Sequence, residues 1–214
     1  MAAIQTFAAI DIGSFEMELS IYEISPKYGV RSIDRVRHMI ALGRDVYKYG
    51  KISYESIDEM CRVLEDFSRI MKGYRVQAYR AYATSALREA ENNQIILDHI
   101  KVRTDLDVKI ISNSEQRFIS YKAIAVKDAE FNRIIQKGTA IVDIGFGSVQ
   151  LTLFDKDTLV TTQNLPLGGL RVRELLSGVP ANLELTMKLI GEIVDNELFT
   201  FRKIHLKDRE IKNI

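Results

Sequence analysis

Residues 10–23 read IDIGSFEMELSIYE, and residues 142–155 read VDIGFGSVQLTLFD. The two stretches align without a gap at an offset of 132 residues; they share Asp-Ile-Gly, the apolar–polar alternation after it and a closing acid. An apolar run that ends in Gly and continues with a period of two is typical of two strands joined by a tight turn. The offset is far longer than the roughly 20–50 residues of a solenoid repeat. The duplicated hairpin therefore predicts two lobes of the same design with a ligand-binding cleft between them.

Strand and helix patterns alternate along the rest of the chain. An apolar stripe with helical spacing follows Ser53, a candidate N-cap, and Gly73 can end that helix. The other helical patterns follow Asn92 or Asn93, pass through 118–124, and begin near 170 and 182, and the polar residues after 203 are expected to fray. Strands are predicted at 7–12, 17–21, 30–42, 76–83, 108–112, 140–144, 149–153 and 159–165. This alternation predicts an α/β fold.

The composition is that of a folded protein without a bias toward nucleic acid or membrane. The chain has 214 residues, of which 46% are hydrophobic and 28% charged, so disorder over most of its length is excluded. Thirty Lys and Arg against 29 Asp and Glu leave a formal charge of +1, which argues against a nucleic-acid partner. No apolar run approaches the ~20 residues of a membrane span. The single cysteine, Cys61, and the absence of a basic, signal-like start favour the cytoplasm.

The two Asp-Ile-Gly turns, which we call elbow 1 (residues 11–16) and elbow 2 (residues 143–148), are the strongest candidates for chemistry. The strand-ending carboxylates of Asp11 and Asp143 lie at the mouth of a sheet, and the glycine that follows lets a ligand approach backbone N–H groups. In elbow 2, the Gly-Phe-Gly-Ser run can form a nest for phosphate oxygens. Opposed carboxylates can hold Mg²⁺, which prefers oxygen ligands. The alternative is two ordinary hairpin turns, and duplication in register argues against it.

Two further segments carry candidate residues. In ATSALREAEN (83–92), Thr84 and Ser85 follow a strand and begin a helical turn, and Arg88 lies one turn later, where it can donate to phosphate. In ISNSEQR (111–117), Glu115 lies near the start of a helix and can act as a general base on water. Read in isolation, the first is a capped helix with a surface arginine, and the second is a glutamate that complements the helix dipole.

Together these motifs resemble the exopolyphosphatase/guanosine pentaphosphate phosphatase (Ppx/GppA) family, within the actin/Hsp70/sugar-kinase-like superfamily. The resemblance runs from about residue 7 to residue 176, and its Thr-Ser-Ala-Leu-Arg-Glu-Ala run is specific to this family among its superfamily relatives. The motifs that carry it are DIGS at 11–14, ATSALREAEN at 83–92, Ile111-Ser112 leading to Glu115, DIGxGS at 143–148 and LPLG at 165–168. The resemblance implies an actin-like ATPase fold with two ribonuclease H-like lobes, each a mixed β-sheet flanked by helices. We expect the first lobe at 1–137 and the second, shortened or incomplete by family standards, at 138–214.

The resemblance also implies roles for individual residues. The family hydrolyses the terminal phosphoanhydride of polyphosphate or guanosine pentaphosphate at a site between the lobes. Phosphate-binding positions match Gly13, Ser14, Thr84, Ser85, Arg88, Gly145, Gly147 and Ser148. Glu115 matches the glutamate associated with catalysis, and Asp143, with Glu115, matches the surroundings of a divalent metal. With Asp11 of elbow 1 included, the expected Mg²⁺ ligands are Asp11, Asp143 and Glu115.

The chain departs from the family pattern at the expected site. Elbow 1 continues Ser14-Phe15-Glu16-Met17 where Ser-Asn-Ser-Phe is usual, and Gln150 replaces the second acidic residue expected for catalysis. Asn113 stands where glycine is usual, and Gln116 stands where a second glutamate often lies. An amide can hydrogen-bond a water but cannot take its proton, so Gln150 is expected to slow turnover while phosphate binding persists.

The sequence therefore predicts an exopolyphosphatase-like hydrolase with Mg²⁺ and leaves two alternatives open. The first is a catalytically weak or inactive relative that binds phosphate-rich ligands as a sensor or regulator, and Gln150 is the residue that favours it. The second is an actin-like kinase or ATPase, for which no adenosine motif is evident. The expected partner is polyphosphate or a guanosine polyphosphate, and the sequence leaves homodimer formation undecided.

Overall fold

The computed structural model describes residues 4–127, 131–180, 182–207 and 209–214. The chain divides into two compact units, Met1–Ser112 and Asn113–Ile214. This division falls between the last strand of the first sheet and the helix that follows it, whereas the sequence places the lobe boundary at 137/138. The division into lobes at 137/138 stays a prediction.

The first unit is a five-stranded mixed sheet with helices. The sheet order is β3-β2-β1-β4-β5, in which β1 pairs antiparallel with β2 and parallel with β4. The strands are β1 (Gln5–Ile12), β2 (Glu16–Ser25), β3 (Gly29–Met39), β4 (Ala78–Ala83) and β5 (Val108–Ile110). The helices are α1 (Leu42–Tyr49), α2 (Tyr54–Gly73), α3 (Ser85–Glu89) and α4 (Asn93–Thr104). Mixed strand pairing and flanking helices confirm the predicted α/β class for this unit.

The core of the first unit explains why α2 forms where the apolar stripe predicted it. Ser53 caps the helix, because its side chain accepts a hydrogen bond from the Ser56 N–H. The buried face of the helix presents Ile57, Met60, Cys61, Val63, Leu64, Phe67 and Met71. These side chains join Ile10, Ile12, Met17 and Leu19 of β1 and β2 in one hydrophobic cluster. Burial of this stripe, at about 25 cal/mol per Å² of apolar surface, is the main contribution that holds the helix to the sheet.

The second unit contains a three-stranded antiparallel sheet in the order β6-β7-β8. Its strands are β6 (Thr139–Ile144), β7 (Val149–Asp155) and β8 (Thr158–Leu165). Its helices are α5 (Asn113–Lys127), α6 (Phe131–Ile134), α7 (Gly169–Leu175) and α8 (Leu183–Phe201), and a wide helical turn (Arg202–Leu206) follows α8. Leu151, Leu165, Leu167 and Phe201 form the buried cluster, against which Ile193, Val194 and Leu198 of α8 pack. The predicted stripe on the last helix therefore does face this sheet.

The structure repeats the hairpin in the same register, as the sequence alignment predicts. Asp11 pairs with Glu18 across β1 and β2, and Asp143 pairs with Gln150 across β6 and β7. Each second strand then carries a β-bulge at the equivalent step, between Ile21 and Tyr22 in one copy and between Leu153 and Phe154 in the other. The two copies therefore share the position of this irregularity as well as their pairing register.

Several local predictions differ from the structure. The third strand ends at Met39, and the unpredicted helix α1 follows it. The Asn92 side chain does not cap α4, because its amide exchanges two hydrogen bonds with the backbone of Ile52. The predicted fraying near the end is wrong for residues 212 and 213, whose N–H groups both donate to the Gly138 carbonyl. Among the described residues, no helix has both the length and the apolar character needed to span a bilayer.

Candidate functional site

Elbow 1 and the turn at residues 84–85 lie side by side because β1 and β4 are parallel neighbours. Ile12 pairs with Ala83 at the ends of the two strands, and the Thr84 N–H donates to the Ile12 carbonyl at 3.1 Å. Within the elbow, the Gly13 N–H donates to the Glu16 carbonyl at 3.0 Å, and a Cβ at Gly13 would lie 2.9 Å from that oxygen. The predicted phosphate-binding segments at 13–14 and 84–85 are therefore adjacent.

The two serines of these segments bind each other. Ser14 Oγ lies 2.7 Å from Ser85 Oγ, and both side chains are buried. The Tyr47 hydroxyl donates to Ser14 Oγ at 2.8 Å, and the Gly43 N–H donates to the Ser14 carbonyl at 2.8 Å. Both of these donors lie on α1, so the helix that sequence patterns missed holds elbow 1 in place.

Arg88 is positioned one turn after Ser85, as the sequence predicts. Its Nη1 donates to the Ile111 carbonyl at 2.8 Å, at the end of β5. The side chain is half-buried, and desolvation lowers the pKa of the guanidinium from its ordinary value. A guanidinium has five N–H donors, so the bond to Ile111 anchors the group and leaves it able to bind an anion. This placement is more constrained than that of a plain surface arginine.

Asp11 lies in an acidic environment at the end of β1. The residue as a whole is exposed, but protein atoms surround its carboxyl group. Desolvation is the largest cause that raises the pKa of Asp11, to about 6, and the negative charges of Glu18 and Glu16 add to it. Glu18 itself stays ionised readily: despite some desolvation, hydrogen bonds from Ser20 and Arg37 and the nearby Arg35 lower its pKa. Glu18 and Glu16 of β2 thus add to the effect of burial and raise the pKa of Asp11 further.

Asp11→Asn is expected to stabilise the protein at alkaline pH. The folded protein binds the Asp11 proton more tightly than the unfolded chain does, whose ordinary pKa is 3.8. Ionising this carboxyl therefore lowers stability as the pH rises from about 4 through about 6, and the loss persists above that range. Thermal unfolding in the presence of a chelator should show a higher midpoint for Asp11→Asn than for wild type at pH 8 and a smaller difference at pH 4. Equal differences at the two pH values would contradict the assignment.

Elbow 2 is held by the helix that follows β8. The Leu170 N–H of α7 donates to the Phe146 carbonyl at 2.9 Å, and Arg171 Nε donates to the Gly147 carbonyl at 3.0 Å. The elbow itself closes as in the first copy, with the Gly145 N–H donating to the Ser148 carbonyl at 2.9 Å. These bonds from α7 occupy the carbonyls of Phe146 and Gly147. Gly145, Gly147 and Ser148 thus lie in one turn, as predicted.

Gln150 is buried beside the cavity of the second unit. It is 3% exposed, and its Oε1 has no hydrogen-bond partner among the residues that the structure describes. The cavity has a volume of about 350 Å³ and lies between α5 and strands β6 and β7. Its polar lining comprises Arg117, Ser120, Tyr121, Asp143, Gln150 and Thr152. A buried amide oxygen without a donor is unfavourable, so this position favours a water or a ligand that donates to it.

Glu115 lies in the first turn of α5 and is exposed. It follows four residues after Ile111, the residue whose carbonyl anchors Arg88. It belongs to the same compact unit as Gln150, and the residues lining the cavity do not include it. Its predicted role in catalysis stays a prediction.

The donor chemistry fits Mg²⁺, although no dedicated cage exists in the described part of the chain. Within residues 4–127, 131–180, 182–207 and 209–214, no three or more His, Cys, Asp or Glu side chains group closely enough to hold a metal. Mg²⁺ is usually bound by one or two carboxylates, with water and substrate phosphates completing its shell. Asp11 and Asp143 each supply a strand-end carboxylate, and the unpartnered Gln150 Oε1 is a further hard oxygen donor. Each elbow, taken by itself, therefore carries one carboxylate of the kind that Mg²⁺ prefers.

Three residues of this site lie outside the sequence predictions. Tyr47 lies on α1, a helix that the sequence analysis does not predict, so no pattern pointed to it. Arg171 follows the LPLG motif by three residues, and only its proximity to that motif could have indicated it. Gly168 belongs to the motif, but its contact with elbow 2 depends on the return of the chain from β8.

Comparison with known proteins identifies the relatives of the chain. A family model described as the Ppx/GppA phosphatase family matches residues 20–206. Exopolyphosphatase 1 of Mycobacterium bovis is 22% identical over 173 residues, which are 80% of this chain and 49% of that protein. The guanosine-5′-triphosphate,3′-diphosphate pyrophosphatase of Pseudoalteromonas atlantica is 24% identical over 170 residues, 79% of this chain and 33% of that protein. The chain thus spans between a third and a half of the length of these relatives.

A solved structure supports the fold. The exopolyphosphatase from Cytophaga hutchinsonii superposes with a TM-score of 0.82 at 22% identity, over 98% of this chain and 65% of that one. This likeness confirms the predicted actin-like α/β class.

Proposed function

The chain belongs to the Ppx/GppA phosphatase family, and from that premise we propose that it hydrolyses the terminal phosphoanhydride of inorganic polyphosphate or guanosine pentaphosphate. One observation carries the proposal. The segments expected to bind phosphate form two duplicated elbows of identical register, and elbow 1 adjoins the Thr84-Ser85 turn and Arg88. Phosphoryl transfer needs this kind of site because it depends on positioning and charge neutralisation rather than on covalent chemistry.

The proposed roles of the residues differ between phosphate binding, activation of water and metal binding. Backbone N–H groups of the elbows and the Arg88 guanidinium bind phosphate oxygens, with Arg88 held in place through Ile111. Glu115 would act as the general base on the attacking water, and Gln150 Oε1 would accept a hydrogen bond from a water in the cavity that it lines. Asp11 and Asp143 would hold Mg²⁺, which when bound neutralises charge on the transferred phosphoryl group.

Arg88→Ala is expected to weaken tripolyphosphate binding by about 1.5–3 kcal/mol, the range for a hydrogen bond to a charged group. Calorimetric titration measures the loss. The matched control is Arg80→Ala, which removes the same charge from an exposed position on β4. Arg88→Lys should recover only part of the affinity, because an ammonium group lacks the planar fork. Unchanged affinity in folded Arg88→Ala protein would mean that Arg88 does not bind phosphate.

Phosphate release in the presence of Mg²⁺ tests the function directly. Polyphosphate, guanosine pentaphosphate and ATP are compared side by side, with the protein that contains this chain. Release from either of the first two supports the proposal, and the ratio of their rates identifies the preferred substrate. Release from ATP alone would favour a kinase or ATPase, and tight binding without release would favour the sensor.

A further inference from the structure

Three hydroxyl groups form a continuous chain at elbow 1. Tyr47 donates to Ser14 Oγ at 2.8 Å, and Ser14 Oγ lies 2.7 Å from Ser85 Oγ. Ser14 and Ser85 are only 4% and 7% exposed, so bulk water does not replace these bonds. The three residues, which we call the hydroxyl chain, come from α1, from the elbow and from the first residue of α3.

Two hydrogen bonds join the three hydroxyls, so one of their three protons has no acceptor within the hydroxyl chain. Each hydroxyl carries one proton and can accept two hydrogen bonds. Of the three protons, Tyr47 uses one toward Ser14, and the bond between the serines uses another. The third proton remains on whichever serine accepts in that bond. Among the described residues, no further acceptor is bonded to either serine hydroxyl.

A buried hydroxyl proton without an acceptor is unfavourable, so the hydroxyl chain is incomplete without a ligand or a water. Phosphate oxygens accept hydrogen bonds and donate none when ionised. Resting on the proposed function, we propose that Tyr47 is a positioning residue of the phosphate site. By donating to Ser14 it holds the two serine hydroxyls in the arrangement that offers the remaining proton to a phosphate oxygen.

The hydroxyl of Tyr47 can be removed while the backbone bonds between the α1 segment and elbow 1 stay in place. The helix segment is also bound to elbow 1 through the backbone, where the N–H groups of Gly43 and Ile40 donate to the carbonyls of Ser14 and Phe15. Tyr47→Phe keeps these bonds and the aromatic ring, and it removes only the hydroxyl. Tyr49, on the same helix, is 60% exposed and provides a matched control.

Calorimetric titration with tripolyphosphate, together with steady-state hydrolysis, tests the inference. Tyr47→Phe should weaken tripolyphosphate binding about three- to tenfold, the size expected for one neutral hydrogen bond, while Tyr49→Phe binds like wild type. In hydrolysis, KM should rise by the same factor and kcat should change by less than about twofold, because the lost contact is made in the ground state as well. Circular dichroism confirms that the variants are folded.

A double-mutant cycle with Ser85→Ala distinguishes positioning from a merely structural role. If Tyr47 acts through the hydroxyl chain, Tyr47→Phe should weaken tripolyphosphate binding by a smaller factor in the Ser85→Ala background than in wild type. The fold-loss of affinity in the double variant should therefore be smaller than the product of the two single fold-losses. The inference would be overturned if the fold-loss of affinity in the double variant equalled the product of the two single fold-losses. Equal tripolyphosphate affinities of Tyr47→Phe and Tyr49→Phe would overturn it as well. Wild-type protein that neither binds nor hydrolyses phosphate chains would overturn the proposed function, and the inference with it. Normal wild-type binding with an unaffected Tyr47→Phe would overturn the inference alone.

Discussion

Gln150→Glu is expected to raise the turnover of polyphosphate or guanosine pentaphosphate by at least about tenfold, since a general base typically contributes ~10²–10⁴-fold. Gln150 is buried, faces Asp143 across the hairpin and has an amide oxygen without a partner among the described residues. A carboxylate of nearly the same shape can accept the proton of a water that the amide can only hydrogen-bond. Burial beside Asp143 would also raise the pKa of the new carboxyl toward neutrality, where a base works best.

The control for this variant is Gln163→Glu. Gln163 pairs with Leu151, the residue after Gln150, and successive side chains of a strand point to opposite faces. Gln163→Glu therefore makes the same charge change on the face of the sheet opposite to Gln150. It should leave turnover unchanged. Initial rates are compared at equal Mg²⁺, and adding Glu115→Gln to Gln150→Glu should abolish the gain.

Two outcomes would contradict this assignment. If the wild type already turns over rapidly and Gln150→Glu changes nothing, the base lies elsewhere, and the next carboxylates to test are Glu16, the last residue of elbow 1, and Glu18. If neither form turns over but both bind tripolyphosphate, the departures of elbow 1 from the family pattern become the next feature to test, and the result favours the sensor alternative.

Gly168→Ala is expected to disrupt elbow 2 and destabilise the second unit by about 3 kcal/mol or more, the upper end for overpacking. A Cβ at Gly168 would lie 2.2 Å from the Gly147 carbonyl carbon and 2.3 Å from the carbonyl carbon and oxygen of Phe146. These are backbone atoms of the elbow, which cannot move aside as a flexible side chain can. The backbone angles of Gly168, φ −62° and ψ 147°, are open to any residue, so space alone is the reason.

Gly169→Ala is the matched control, because a Cβ there meets nothing within 4 Å. Its N–H still donates to the Gly145 carbonyl after substitution. Urea unfolding should show a change within about 0.5 kcal/mol for Gly169→Ala and the large loss for Gly168→Ala, with phosphate release lost in the latter. Equal stabilities of the two variants would mean that α7 does not pack on elbow 2 this tightly.

Local patterns were sufficient to predict the elements that bury a regular face. The stripe behind Ser53 predicted α2 and its cap, and both are confirmed. Periodicity failed at α1, because the helix is short and follows β3 after only two residues, so the arginine-rich strand pattern was extended into it. It also failed at Asn92, whose side chain binds the distant backbone of Ile52 instead of its own helix.

By itself, the sequence determined the duplicated hairpin, its register and the family, because alternation and motif spacing are properties of neighbouring residues. Only the tertiary structure decided which site residues touch. Ser14 meets Ser85 because β1 and β4 are parallel neighbours, and Tyr47 reaches them because α1 returns along the elbow. Gly168 likewise contacts elbow 2 only because β8 brings α7 back to it. Such contacts join residues far apart in the chain, and their energies depend on packing and donor–acceptor geometry that no local pattern encodes.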